Sequence, residues 1–391
     1  MELLIQNVNW EHEEQLQCGA LRIKNGHIVE IDKDIKPNKS EIVIDGKGDF
    51  VYPGLINSHD HLEMNIYPRL GKPPYEDYVA WANDIYKPHA APVSDIEALP
   101  LRDRLLFGAF KNIISGVTTV VHHNPYHARF RFGFPISVFS RYQWMHSLVF
   151  GEKIRRRWFG TQKLIIHAAE GINERAAREI DELDNLGYLR KQTVLVHGVA
   201  VSANQINRLQ EKGASLVWCP SSNIYLFGRT APIDMLKHRI PVALGTDSTL
   251  TGSPTLLDEI RDAIKTGLVS ENEIFHMVTN GPSRIFGLQK PMAITKGAPA
   301  DLFIATRKQE DYKTNLTSTY PDDIRLVLHN GCVRLLRGEP PHSWPFRLKR
   351  LFIRQNYLCI HMPSLMKRIT SGVPSVFLQQ NPVWKIAETW I

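Results

Sequence analysis

The chain lacks the features that mark membrane-bound and secreted proteins. Its 391 residues contain no apolar run that approaches the ~20 residues a membrane-spanning helix needs. The first residues, MELLIQNVNWEHEEQ, are acidic and alternate in polarity, whereas a secretory signal is basic and then apolar. We therefore expect a cytoplasmic protein that does not span a membrane.

Cysteine is scarce, and the excess of positive charge is moderate. Cys18, Cys219, Cys332 and Cys359 lie far apart and show no CxxC spacing. Neither a disulfide framework nor a cysteine-based zinc site is indicated, so a reducing compartment is the default expectation. The net charge of +7 comes from basic residues spread along the whole chain, which argues against nucleic acid as a partner.

Short alternating segments are present at the start of the chain and again late in it. Residues 1–52 alternate apolar and polar residues and are interrupted by Asn-Gly and Asp-Gly turns, a pattern typical of strands and hairpins. The same pattern returns in residues 293–337. We predict that these two segments form one small β-sandwich domain. Residues 338–391 are an extension to which the sequence assigns no role.

The middle of the chain, residues 53–292, alternates short apolar runs with helix-like stretches. The runs are rich in Val, Ile and Leu, as buried parallel strands are, and include VTTVVHH, KLIIHAAEG, TVLVHGVAV and PVALGTDS. Repeated strand-then-helix units predict an α/β fold, a TIM-like (β/α)8 barrel. Residues 121–163 hold one convincing strand where two units are needed, so the barrel is expected to be shortened or irregular around units three and four.

Histidines and acids stand where these apolar runs end. The carboxyl ends of barrel strands line the face that carries the active site. His59 and His61 are two residues apart, so in an extended strand both imidazoles point to the same side. Neutral imidazole suits zinc and iron, and His167 and Asp247 offer a third nitrogen and a carboxylate at the ends of other strands. The sequence therefore predicts a metal site, although the histidine pair alone also fits a structural role.

Two more residues at strand ends are candidates for catalysis. Glu170 follows His167 by three residues, and a carboxyl group beside a metal-bound water is suited to moving protons. His197 ends the next run and would orient or polarise the attacked group. Singly, each is more often a hydrogen-bonded structural residue, but their order along successive strands favours an active site. Four further histidines fit surface or packed structural positions better than substrate contacts: His122, His123, His127 and His146.

The motifs together resemble one known family. They are PGLINSHDHL (53–62), GVTTVVHHN (116–124), HAAEG (167–171), LVHGV (195–199), CPSSN (219–223), ALGTDS (243–248) and GAPADLFI (297–304). This combination resembles the amidohydrolase superfamily, in particular its branch of cytosine, guanine and S-adenosylhomocysteine deaminases and triazine hydrolases. The likeness covers about residues 1–337.

The resemblance implies a role for each matching residue. His59, His61, His167 and Asp247 would bind one divalent metal ion, which is usually zinc and sometimes iron in this branch. Glu170 would move a proton and contact the substrate, and His197 would contact the hydrated carbon or an oxygen of the substrate. Asp247 would also accept a proton from the metal-bound water. A small-molecule substrate is implied, and a homodimer is left open.

Three functions remain after these arguments. The first is an aminohydrolase that releases ammonia from a heteroaromatic or amidine-like C–NH2 group. The second is a hydrolase of a cyclic or linear amide, or of another C–N or C–Cl bond, that uses the same site. The third, a non-catalytic scaffold, is least favoured because every residue needed for metal binding and proton transfer is present. The identity of the substrate, and the choice between zinc and iron, are left open.

Overall fold

The computed structural model describes residues 2–150, 162–288, 292–339, 341, 344, 352–353 and 356–390. Its strands are β1 (Leu3–His12), β2 (Gln15–Lys24), β3 (His27–Asp32), β4 (Ile42–Pro53), β5 (Leu55–Asp60), β6 (Val117–His122), β7 (Ser137–Val138), β8 (Tyr142–Met145), β9 (Lys163–Ala168), β10 (Thr193–His197), β11 (Ser215–Trp218), β12 (Val242–Leu244), β13 (Leu302–Ala305), β14 (Ile324–His329), β15 (Cys332–Arg337), β16 (Phe352–Ile353) and β17 (Asn356–Leu358). Its α-helices are α1 (Tyr78–Ile85), α2 (Val93–Ala98), α3 (Leu101–Ile113), α4 (Glu174–Asn185), α5 (Ala203–Lys212), α6 (Pro220–Phe227), α7 (Ile233–Leu236), α8 (Leu256–Lys265), α9 (Glu271–Val278), α10 (Asn280–Phe286), α11 (Tyr312–Thr317), α12 (Met362–Thr370), α13 (Ser375–Leu378) and α14 (Pro382–Glu388).

Both ends of the chain contribute strands to one nine-stranded sheet. The strand order is β16-β17-β15-β14-β13-β4-β1-β2-β3. Strand β4 joins the two contributions, because it pairs in parallel with β1 and antiparallel with β13. The extension after residue 338 adds β16 and β17 at one edge. The sandwich form and the predicted domain limits, 1–52 with 293–337 and 53–292, stay predictions.

Eight parallel strands of the middle segment form two further sheets. One has the order β5-β6-β7 and the other β12-β11-β10-β9-β8, and every residue of β5, β6, β10, β11 and β12 is buried. Such burial explains why these strands read as apolar runs, since helices cover parallel sheets. Strand β5 follows β4 after the single residue Gly54, so the nine-stranded sheet leads directly into the strand that carries His59. The predicted α/β architecture is confirmed at this level.

The third and fourth strands of this series are β7, with two residues, and β8, with four. The predicted shortening of the barrel in this region stays a prediction. Strand β8 corresponds to the one strand found in the sequence, whereas β7, with two residues, gives too short a pattern to recognise. Between His123 and Phe150 the structure has only 3-10 turns in place of an α-helix. Within the described ranges, no helix has the length and apolar character needed to cross a membrane.

The last helices pack against α3 in the middle segment. Trp384 in α14 stacks on Phe107 with ring centroids 6.0 Å apart. Arg368 in α12 forms a two-bonded ion pair with the buried Asp103, at 2.8 Å for each bond. Such paired, planar contacts fix both partners in one orientation. The described helices of the extension are therefore a packed part of the structure.

Candidate metal centre

The predicted site residues lie together at the carboxyl ends of parallel strands. His59 lies within β5 and His61 directly after it, whereas His167 lies within β9, His197 ends β10, and Asp247 follows β12 by three residues. His197 and Asp247 have positive φ angles of 76° and 56°. Non-glycine residues adopt this backbone conformation at a cost, and it is common at functional sites. Here it lets the chain turn sharply at the strand end while the side chain stays in the site.

Strand β12 is packed directly against β5 at this end. The N–H groups of Thr246 and Asp247 both donate to the carbonyl oxygen of His59, at 3.0 Å. A Cβ atom at Gly245 would lie 2.6 Å from the Cβ of His59, so only glycine fits there. The glycine of the GTDS motif thus sets the distance between the strand that carries His59 and the segment that carries Asp247.

The four predicted metal ligands lie close to one another. One nitrogen each from His59, His61 and His167 lies within 4.8 Å of the other two. Oδ1 of Asp247 lies 3.7 Å from Nε2 of His59 and 3.5 Å from Nε2 of His61. Three imidazole nitrogens and one carboxylate oxygen are a donor set that zinc accepts in catalytic sites.

The unsatisfied polar atoms of this group fit a bound cation. Both nitrogens of His59, Nδ1 of His61 and Nε2 of His167 are buried and have no hydrogen-bond partner among the described residues. Buried polar atoms are nearly always paired, so this concentration calls for a ligand. Burial, reinforced by the surrounding histidines, also lowers the pKa of His59 and of His167 well below the ordinary value, which leaves both in the neutral form that binds metals.

Asp247 is held so that one carboxylate oxygen remains free. Its Oδ2 accepts hydrogen bonds from Ser222 at 2.9 Å and from Thr251 at 2.8 Å, whereas Oδ1 faces the histidines. Burial alone would raise the pKa of Asp247, but His61, His197 and these two hydrogen bonds lower it overall. The side chain is therefore an oriented carboxylate.

Glu170 bridges two of the histidines. Its Oε2 lies 3.2 Å from Nδ1 of His167, and its Oε1 lies 3.5 Å from Nε2 of His197. Burial, together with the charges of Asp247 and Glu179, raises the pKa of Glu170 well above its ordinary value. Nδ1 of His197 is bonded to the amide oxygen of Asn223 at 2.9 Å, so this nitrogen donates and Nε2 keeps its lone pair.

A cavity of about 500 Å3 opens onto this group and is walled mainly by apolar and aromatic side chains. Its volume is that of a pocket for a small organic ligand. His61, His167, Glu170 and Asp247 line its floor. The aromatic residues of its wall are Tyr67, Tyr78, Trp81, Tyr86 and Phe150.

Comparison with known proteins gives matches in sequence and in fold. The Amidohydrolase family matches residues 159–334. The 5'-deoxyadenosine deaminase of Methanobrevibacter smithii is 26% identical over 349 residues, which cover 73% of this chain and 79% of that protein. The guanine deaminase of Rattus norvegicus is 34% identical over 122 residues, 28% of this chain and 27% of that protein. The chain is related to the amidohydrolases. The predicted resemblance is thereby confirmed, as is the predicted class of enzyme, a hydrolase of non-peptide C–N bonds.

Solved structures agree with this amidohydrolase relationship at the level of the fold. An adenosine deaminase from Xanthomonas campestris with bound zinc has a TM-score of 0.70 at 16% identity, over 99% of this chain and 98% of its own. The atrazine chlorohydrolase of Arthrobacter aurescens in complex with zinc has a TM-score of 0.72 at 16% identity, over 95% of this chain and 100% of its own.

Sequence reasoning missed one residue of the chain, Lys111, which lies beneath the metal centre. Its fully buried ammonium group donates to Oδ1 of Asn65 at 2.7 Å, to Thr246 at 3.0 Å and to the carbonyl oxygen of Asp247 at 3.2 Å. It also lies 3.4 Å from the carboxylate of Asp60. A lysine on an otherwise apolar helix face is the signal that would have found it. Lys111 ties the segment after β5 to the segment after β12.

His123 is also closer to the metal centre than the sequence indicates. Its ring centroid lies 4.4 Å from that of His167 and 5.0 Å from that of His59. Its Nε2 donates to the carbonyl oxygen of Met145 at 2.9 Å, which fixes the end of β6 to β8. His146 lines the cavity, whereas His122 and His127 form a separate group with Glu63.

Proposed function

We propose that the chain is a metal-dependent aminohydrolase that releases ammonia from a heteroaromatic or amidine-like C–NH2 group. One observation carries the proposal: the carboxyl group of Glu170 reaches both His167 and His197 at the floor of an aromatic cavity. A proton carrier in that place serves a reaction in which a nitrogen leaves. We also propose that the eight parallel strands close into a (β/α)8 barrel with the cavity at its mouth. Cytoplasmic location and a homodimer stay predictions.

His59, His61, His167 and Asp247 would hold one divalent ion, zinc by the chemistry of its donors. When bound, such an ion supplies Lewis acidity that makes hydroxide available near neutral pH. Iron accepts the same nitrogen and oxygen donors. Loading each metal separately therefore identifies the active one.

The protein side chains divide the proton transfers among them. Oδ1 of Asp247 takes a proton from the attacking water, because Oδ2 is already held by Ser222 and Thr251. Glu170 delivers a proton to the substrate nitrogen, and Nε2 of His197 accepts a hydrogen bond from the hydroxyl group formed on the attacked carbon. Water adds to carbon, ammonia leaves, and the carbon that carried nitrogen becomes a carbonyl.

The cavity supports a flat substrate. Tyr67, Tyr78 and Trp81 line its wall, and aromatic rings prefer stacked or edge-on aromatic partners. The sequence relatives named above are deaminases of an adenine nucleoside and of a purine base. An aminated heterocycle with a small or apolar substituent is the substrate class that these walls favour.

A screen for released ammonia tests the proposal. Amino-heterocycles, cyclic amides and chlorinated heterocycles are offered to zinc-, iron- and manganese-loaded protein, and ammonia and chloride are measured. Ammonia from at least one amino-heterocycle is the expected result, with loss of at least about 100-fold in kcat for Glu170→Gln. Glu174→Gln, an exposed glutamate of α4, is the matched control and should retain full activity.

Two outcomes would overturn it. Hydrolysis of amides or C–Cl bonds without ammonia from any amino-heterocycle would move the function to the second class of reaction. A protein that binds no stoichiometric metal, and whose properties do not change in the His59→Ala variant, would be a scaffold.

A further inference from the structure

A buried asparagine connects the C-terminal extension to the wall of the cavity. Asn381 is fully buried and directly precedes α14. Its Oδ1 accepts hydrogen bonds from the N–H groups of Val383 at 2.8 Å and Trp384 at 3.0 Å, and so caps the helix. Its Nδ2 donates to the carbonyl oxygens of Asn65 at 2.9 Å and Tyr67 at 2.7 Å. One amide therefore serves its own helix with one atom and a distant segment with the other.

The segment that Asn381 holds belongs to the cavity. Tyr67 is part of the chain that follows the ligand His61, and its side chain lines the wall. The carbonyl oxygen of Tyr67 also accepts from Oγ1 of Thr249 at 2.8 Å, and Thr249 lies 3.4 Å from Nδ2 of Asn381. Ser248 and Leu250, on either side of Thr249, line the same cavity. Asn381 thus joins two walls that follow two different metal ligands.

Other described residues of the extension are anchored independently of this amide. Trp390 packs edge-on against Phe110 with ring centroids 6.3 Å apart. Arg368 pairs with Asp103 on α3, and neither residue lines the cavity. Loss of the two donated hydrogen bonds of Asn381 therefore leaves the extension docked and acts on the wall.

We infer that Asn381 is a positioning residue through which the C-terminal extension sets the shape of the substrate cavity. It acts on the walls rather than on the metal ligands, because the ends of β5 and β12 are already joined by the carbonyl oxygen of His59 and by Lys111. The expected kinetic signature is a rise in KM of about tenfold with a smaller change in kcat, as for lost uniform binding. This signature rests on the proposed function, whereas the structural role does not.

Asn381→Asp is the test variant, since it has the same shape and keeps the acceptor that caps α14. A carboxylate there faces two carbonyl oxygens, and a carboxylic acid has a single proton for both, so at least one carbonyl loses its donor. Hydrogen exchange followed by mass spectrometry is expected to show at least about tenfold faster exchange in residues 64–70 and 248–251. The nine-stranded sheet should be unchanged. Arg368→Gln, which cuts another contact of the extension, is the control and should leave exchange in both segments unchanged.

Asn381→Ser, which keeps a capping oxygen but has no donor of sufficient reach, provides a second variant should the aspartate variant not fold. The inference would be overturned if, in either variant that folds, both segments exchanged at the same rate as in the unaltered protein. So would a loss of activity confined to kcat. Because exchange needs neither metal nor substrate, it decides the matter even if no amino-heterocycle releases ammonia.

Discussion

At the scale of single residues, Asp247 shows how the surroundings assign a task to each atom of a side chain. Ser222 and Thr251 hold one carboxylate oxygen, and the other faces the nitrogens of His59 and His61. An oriented carboxylate of this kind serves both as a metal ligand and as a proton acceptor. A substitution of Asp247 that removes the basicity of the side chain but keeps its shape separates metal binding from proton acceptance.

Asp247→Asn is expected to lower kcat by at least about 100-fold, the usual contribution of a general base, while part of the bound metal remains. The single oxygen of the amide faces the histidines when the hydroxyl groups of Ser222 and Thr251 accept from its NH2 group instead of donating, and this oxygen is too weak a base to accept the proton. Metal content by mass spectrometry and kcat on the same sample check this. Turnover within tenfold of the unaltered protein would show that another group takes the proton.

At the scale of elements, the contact between β5 and the end of β12 sets the metal centre. Gly245→Ala would place a new Cβ 2.6 Å from the Cβ of His59 and 2.8 Å from its backbone nitrogen, so the strand must move. We expect a loss of about tenfold or more in kcat/KM and weaker zinc retention, since small displacements of catalytic groups are costly. Gly267→Ala is the control for a strained glycine outside the cavity: its φ of 71° disfavours alanine although nothing lies within 4 Å of the new Cβ, so it shows whether general destabilisation alone releases zinc. Equal zinc retention in the two variants would contradict the expectation.

The nine-stranded sheet carries a pH-dependent contribution to stability at Glu41. Burial alone would raise the pKa of this carboxyl group, but hydrogen bonds from Asn38 and Arg22 lower it overall. A lowered folded-state pKa means that the stabilisation is present above the unfolded-state value of about 4.3 and is lost as pH falls through the folded-state value. The pair Arg22–Glu41 therefore stabilises the sheet at neutral pH.

Glu41→Gln is expected to lower the free energy of unfolding by about 1.5 kcal/mol at pH 7, the lower end for a hydrogen bond to a charged group, because the amide keeps one acceptor oxygen. The difference from the unaltered protein should shrink as pH falls below about 4. Urea unfolding at pH 7 and at acid pH measures both. A difference that stays constant across this range would show that the charge of Glu41 contributes nothing.

At the scale of the whole molecule, unsatisfied histidine nitrogens from β5 and β9 converge, so binding of an ion couples to the stability of the fold. A ligand that binds only the folded state stabilises it by about 2.7 kcal/mol at 100 times Kd, which corresponds to a rise of a few degrees in Tm. Thermal unfolding of chelator-treated protein with and without zinc should show this rise. His59→Ala should abolish it, and His127→Ala, in the neighbouring group, should retain it. A rise that survives in His59→Ala would place the ion elsewhere.

The sequence predicted those parts of the molecule that leave a local pattern. Apolar runs followed by His59, His167 or Asp247 were sufficient to predict that these side chains lie close together, because the carboxyl ends of parallel strands meet on one face. The partners of Lys111 and Asn381 could not be predicted, since they lie far along the chain. The only local signal at Lys111 is its place on an apolar helix face, and Asn381 leaves none. Strand β7 was missed because two residues are too few to show a period.

The direct passage from β4 into β5 bears on how the gene can be re-engineered. Gly54 donates to the carbonyl oxygen of Asp301, and Leu55 donates to that of Gly116, so both sides of the junction are occupied. New termini or an inserted reporter at this point would separate β5, which carries His59, from β4 and the nine-stranded sheet. Circular permutants and split versions should therefore open at exposed turns such as the one at Glu13 and Glu14, where the chain is cut without breaking the path from sheet to histidine.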